Sequence, residues 1–188
     1  MSRKLFTAIG LALVLGLSAR PAQAALIGAN VFGEINFGGG GTNYFNPANG
    51  FVPAGFLNVG GPNVIVGEPA VEFGFDDGAN RDVANFTDTQ LIVTDDSVGG
   101  GTFFVMRFTS NAFLGLSLSE VADTFLNGGM TATLVGNVIT LSVPAFGSGG
   151  AFRAVYDIGV AAVPEPATLL LVGTGVAAAV RARRRPRR

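Results

Sequence analysis

The chain has 188 residues, enough for one domain with processing segments at its ends. A hydrophobic fraction of 48% excludes a wholly disordered polymer, and zero cysteines exclude disulfides, thiolate metal sites and cysteine nucleophiles together. The formal net charge of −1 conceals a segregation: residues 25–163 hold three arginines (Arg81, Arg107, Arg153) against twelve carboxylates, a balance of −9 that repels nucleic acid and anionic lipid.

Residues 1–24 have the layout of a secretory signal peptide. Arg3 and Lys4 give a positive start, Leu5 to Leu17 is an apolar run, and Ala22-Gln23-Ala24 supplies the small-x-small pattern that a signal peptidase accepts. Pro21 discourages the apolar helix from running into that site. Cleavage is expected after Ala24, with Ala22 and Ala24 as the recognised small residues.

Between the ends, short apolar or β-branched runs alternate with Gly, Asn, Asp and Pro, which predicts an all-β domain over residues 25–162, a β-sandwich or jelly-roll-like arrangement of antiparallel sheets. Weak strands are expected at Leu26–Phe32, Val64–Val66, Val71–Phe75 and Phe152–Ile158. Three prolines between Asn43 and Pro62 predict a long loop or ragged edge there. Gln90–Thr94 and Thr102–Thr109 read as a strand pair joined by a loop at Asp95–Gly101. Ser119–Leu126 reads as one short helix capped by Ser119. The clearest unit is Met130–Val143. A Gly136-Asn137 turn sets Leu134 opposite Ile139, Ala132 opposite Leu141 and Met130 opposite Val143, which sorts the apolar residues onto one face.

At the C-terminal end, Val163-Pro164-Glu165-Pro166 forms a stiff linker. An apolar stretch from Ala167 to Val180 follows, and then Arg181, Arg183, Arg184, Arg185, Arg187 and Arg188. Fourteen apolar residues are short of the roughly twenty of a full span, but flanking Val160–Val163 and snorkelling arginines extend the reach. Arginines on that side remain cytoplasmic, which places the acidic middle outside. This order of parts resembles the PEP-CTERM family of sorting signals, carried by Pro164, Glu165 and Pro166, by Ala167 to Leu171, by Gly173-Thr174-Gly175 and by the terminal arginines. The resemblance implies export by a Gram-negative bacterium, often one that makes extracellular polysaccharide. It also implies recognition of Pro164, Glu165 and Pro166 by a membrane-embedded exosortase-type enzyme that removes the tail. On this reading residues 163–188 are a sorting segment, and a signal helix and a C-terminal hydrophobic transmembrane helix flank the β domain. The inner membrane is then a transient anchor on the way to the cell surface or the extracellular space.

Few residues offer chemistry. Histidine is absent, and Lys4, the only lysine, leaves with the signal peptide, so the usual nucleophile–base pairs are lacking. No catalytic residue is assigned and no enzyme is expected. A carboxylate-dependent glycoside hydrolase is the least favoured reading, because Asp76-Asp77 and Asp95-Asp96 are sequence neighbours whose side chains point to opposite faces of a strand. Asp76, Asp77, Asn80 and Asp82 lie in one Gly-containing segment and are candidate oxygen ligands for calcium, although the spacing is not that of an EF-hand. The alternative is a solvated turn, with Asp and Asn there for turn geometry. Gly38–Gly41 lacks the Gly-Lys-Ser/Thr ending of a phosphate loop. With no tryptophan, the candidate glycan contacts are Tyr44, Phe45 and Phe51; the alternative is that they pack over a sheet edge. The expectation is therefore a non-enzymatic surface or matrix protein associated with exopolysaccharide, with a carbohydrate-binding module, calcium-assisted or not, as the runner-up. Its expected partners are signal peptidase, the exosortase-type enzyme, the inner membrane and extracellular polysaccharide, but no nucleic acid. No cofactor is required beyond the candidate calcium.

Overall fold

The computed structural model describes residues 25–160. The signal-peptide reading of 1–24, the sorting-segment reading of 163–188 and both flanking helices lie outside the described residues. Among the described residues, no helix is long and apolar enough to cross a membrane.

Ten strands form two five-stranded antiparallel sheets that face each other in a β-sandwich-like arrangement. The strands are β1 (Asn30–Phe37), β2 (Asn63–Ile65), β3 (Phe73–Asp76), β4 (Asn80–Phe86), β5 (Gln90–Ser97), β6 (Phe104–Thr109), β7 (Leu116–Asp123), β8 (Thr131–Val135), β9 (Val138–Val143) and β10 (Gly150–Val160). One sheet has the order β2-β1-β6-β9-β8 and the other β3-β4-β5-β10-β7.

The β8–β9 hairpin has the expected register. Leu134 opposes Ile139, Ala132 opposes Leu141 and Thr133 opposes Thr140. Gly136 takes φ +61°, the left-handed conformation required at the first position of a tight hairpin turn. The expected strand pair at 90–109 is corrected. Both strands exist, but β5 pairs with β4 and β10 in one sheet, while β6 pairs with β1 and β9 in the other. The segment between them is a crossover, not a hairpin loop, and Asp95 to Ser97 still belong to β5. Period-two alternation sorts side chains between two faces; it carries no information about which strand lies alongside.

The expected helix at Ser119–Leu126 is also corrected, because Leu116–Asp123 is the edge strand β7, paired with β10. The unpaired backbone edge of β10 offers a ladder of hydrogen bonds that outweighs one capping serine. Strand β4 was hidden by its polar start, Asn80-Arg81-Asp82, which reads as a turn. β1 begins four residues later than expected, after a turn at Ile27-Gly28. The loop from Asn43 to Gly61 contains no strand, only 3₁₀ turns at Pro47–Asn49 and Leu57–Gly60.

Phenylalanine fills the space between the sheets. Phe73 and Phe86 of one sheet meet Phe108 of the other at ring-centroid separations of 5.3 and 5.2 Å. Phe45 closes the cluster from the long loop, 5.3 Å from Phe73. Gly33 on β1 is required by this packing, since a Cβ there would collide with the Phe73 ring. Two asparagines hold the long loop in place. Asn43 Nδ2 donates to Gly33 O at 3.0 Å, and its Oδ1 accepts from the N–H groups of Ile35 and Phe45, so it covers the β1 edge beyond the end of β2. Asn58 is fully buried; its Nδ2 donates to Phe45 O and Gly74 O, and its Oδ1 accepts from Gly74 N–H. Glu72, also buried, accepts from Gly67 N–H and Phe86 N–H, while burial raises its pKa.

This core makes a contrast between two phenylalanines testable by denaturant unfolding. Phe108→Ala, in the fully buried cluster, is expected to cost about 3–5 kcal/mol. Phe103→Ala, on the exposed face of the same segment, is expected to cost less than about 1 kcal/mol.

Candidate functional site

One inward-facing row of the β3-β4-β5-β10 sheet departs from the apolar pattern. In register across the four strands it reads Phe75, Asp82, Asp95, Phe152. The aromatic ends belong to the core, whereas the middle holds two directly opposed carboxyl groups. Asp82 is 0% exposed and Asp95 is 3% exposed. Directly opposed side chains in an antiparallel pair have Cβ atoms only about 4.5–5.5 Å apart. No hydrogen bond reaches either oxygen of Asp82, Asp95 Oδ1 or the hydroxyl of Ser97, two residues along the same inward face of β5.

Burial raises the pKa of Asp82 well above the ordinary carboxylate value, and the nearby charges of Asp95 and Asp77 add to the effect. Burial raises Asp95 as well; its polar contacts with Asp82 and Ser97 pull the other way, and the Asp96 charge adds a further increase. Two such groups cannot both ionise without a compensating charge.

The pair borders a cavity of about 300 Å³ at one end of the sandwich. Phe37, Tyr44, Phe51, Phe75, Phe104 and Phe146 supply apolar walls, and Asp77, Asn80 and Thr102 bring polar groups to it. The volume is at the small end of the range for pockets that hold small molecules. Each wall has a structural reason. The Asn43 and Asn58 bonds fix the loop that carries Tyr44 and Phe51. Tyr44 packs edge-on to Phe37 at 5.4 Å and to Phe51 at 5.6 Å. Gly101 pairs with Phe146 across a short bridge, and a Cβ at Gly101 would strike the Phe146 ring.

The candidate calcium ligands are divided by this geometry. Asp76 Oδ1 accepts from Gly78 N–H at 2.8 Å, and Asp77 Oδ1 accepts from Ala79 and Asn80 N–H at 2.9 and 2.7 Å, an arrangement that shapes the β3–β4 turn. Burial acts to raise the Asp77 pKa, but these backbone bonds and the Asn80 side chain lower it overall. Asp77, Asn80 and Asp82 line the cavity, whereas Asp76 does not. Among the described residues, no three of His, Cys, Asp or Glu converge as a metal-holding group. Of the candidate glycan contacts, Tyr44 and Phe51 line the cavity. Phe45 is fully buried against Phe73 and Phe108 and presents no surface. Asp95 went unassigned from sequence. Its separation from Asp96 across the strand was legible, but its partnership with Asp82 depends on the register of β4 against β5.

A carboxyl group with a raised folded pKa takes up a proton on folding, so it lowers stability as pH rises above its unfolded value, 3.8 for Asp82. Unfolding midpoints in chelated buffer are therefore expected to fall between roughly pH 4 and neutrality. Asp82→Asn is expected to flatten that slope and to exceed wild-type stability at pH 7. Parallel slopes for the two proteins would show that the pair does not hold the proton.

Comparison with known proteins bears on a different part of the chain. No curated protein and no solved structure matches it. A family model described as the PEP-CTERM protein-sorting motif matches residues 162–185, directly beyond β10, which ends at Val160. The matched span contains Pro164-Glu165-Pro166, the apolar stretch and the arginines up to Arg185. The chain thus carries a PEP-CTERM sorting motif behind its folded domain, the mark of an exported protein that is membrane-anchored before processing.

Proposed function

We propose that this protein is a non-enzymatic component of the cell surface or extracellular matrix, delivered by its sorting tail and retained among exported polysaccharide. The observation that carries the reading is the motif at 162–185 placed directly after a complete sandwich. Signal peptidase cuts after Ala24, and an exosortase-type enzyme acts at Pro164-Glu165-Pro166 while the apolar tail rests in the inner membrane. The described core runs from Leu26 to Ile158, so the two cuts remove none of it. The released or attached product is strongly acidic, which favours solubility and discourages adhesion to anionic lipid.

Cell fractionation with intact-mass measurement tests this route. Wild-type protein is expected to lose both ends and to leave the inner membrane. A Pro164→Ala, Glu165→Ala double variant is expected to keep its tail and accumulate there. A wild-type product that is cytosolic, with Met1 and Arg188 both present, would overturn the proposal.

A second reading, a carbohydrate-binding module, is favoured by the end cavity. Aromatic faces from Tyr44 and Phe51 suit the C–H faces of a sugar ring, and Asn80 and Thr102 bring polar groups to its hydroxyls. On a glycan array, selective binding that falls at least tenfold in a folded Tyr44→Ala variant is expected under this reading. Absence of any selective binding by the wild type would remove it.

A further inference from the structure

We propose that Asp82 and Asp95 are the anionic half of a calcium site beside the end cavity. The inference rests on unsatisfied polar chemistry. Both oxygens of Asp82 are buried without a hydrogen-bond donor, as are Asp95 Oδ1 and Ser97 Oγ, and both aspartates border the cavity. Buried polar groups in folded proteins are almost always paired, so four orphaned oxygens in one place call for an electropositive partner. Among the described residues, no protein cation supplies it: Arg81, Arg107 and Arg153 are all exposed. Arg81 lies on the outward face of β4, opposite Asp96, with its guanidinium 5.5 Å from the Phe56 ring centroid.

Every donor in reach is a hard oxygen, with no nitrogen or sulfur ligand in the set, which points away from zinc, copper and iron. Two carboxylates with hydroxyl, amide and backbone carbonyl groups suit a large ion that accepts six to eight oxygens in loose geometry. Asn80, Gly100, Gly101 and Thr102 line the same cavity and are the neutral groups available to complete the shell with water. Magnesium fits less well, because it demands a near-octahedral arrangement and gives up its own water reluctantly. The bound ion would neutralise the pair. This site differs from the one the sequence suggested: Asp76 drops out, Asp77 serves the turn, and Asp95 enters.

The test is thermal unfolding of the purified full chain in detergent, first chelated and then titrated with calcium chloride alone. At pH 7.5 we expect a Tm rise of roughly 5 °C or more by about 10 mM calcium, with a smaller rise at pH 5, where protons compete for the pair. Asp82→Asn and Asp95→Asn are expected to lose the response and, without calcium, to melt at or above the wild-type temperature, which also shows that they fold. Asp76→Asn is expected to keep the response. Calorimetry should give one ion per chain. A wild-type Tm unmoved by calcium would overturn the proposal and leave a shared proton as the compensating charge. An equal rise in Asp82→Asn would overturn it in favour of diffuse binding to the acidic surface, and an equal rise with magnesium would overturn the assignment to calcium.

Discussion

The contact of Phe73 and Phe86 with Phe108 joins the two sheets, and the rest of the domain is arranged to protect it. A sheet with one apolar face must bury that face, and here aromatic side chains of large area do so from both sides. The constraint reaches into the backbone. Gly33 is needed beneath the Phe73 ring, and the long loop must fold back so that Phe45 completes the cluster. Buried Asn58 then satisfies Phe45 O of the loop and the backbone of Gly74, and buried Glu72 accepts from Gly67 and Phe86 N–H. Hydrophobic burial provides the driving force, and a few fully bonded polar side chains determine which loop conformation it selects.

Against that background, the Asp82–Asp95 row is a local inconsistency of the kind expected at a functional site. Apart from Asn80 and Ser97 at the same end, the other inward side chains along β4 and β5 are apolar: Ala84, Phe86, Leu91 and Val93. Asn58 and Glu72, buried elsewhere in the domain, do have partners. Two carboxyl groups without donors lower stability unless a proton or a cation joins them. They border an aromatic-lined cavity, where the proposed calcium ion would join them.

Routing and binding are separable in this chain. The sorting motif and the signal-peptide pattern sit outside the described core, so transport makes no demand on the fold beyond leaving its first and last strands intact. Charge supports the separation. Arginine is concentrated at the ends, whereas the domain that reaches the outside is anionic and has little attraction for the membrane it leaves.

Sequence alone determined what depends on local order: the segregation of charge, the Pro-Glu-Pro segment with its apolar and arginine-rich sequel, the all-β class, and the 130–143 hairpin. In that hairpin turn chemistry and apolar alternation agree, and partners lie within a few residues of one another. It could not determine what depends on pairing between distant segments. Two segments expected to pair, β5 and β6, proved to be in opposite sheets, and the free edge of β10 made a strand of the segment that looked helical. The candidate site falls in the same class. Asp77, Asn80 and Asp82 drew notice as neighbours in sequence, and Tyr44 and Phe51 as aromatics in a loop. Only the β4–β5 register placed Asp95 beside Asp82, and only the folding of the long loop over that end placed the rings around them. Side-chain period fixes direction, whereas tertiary hydrogen bonding fixes company, and a binding pocket requires both.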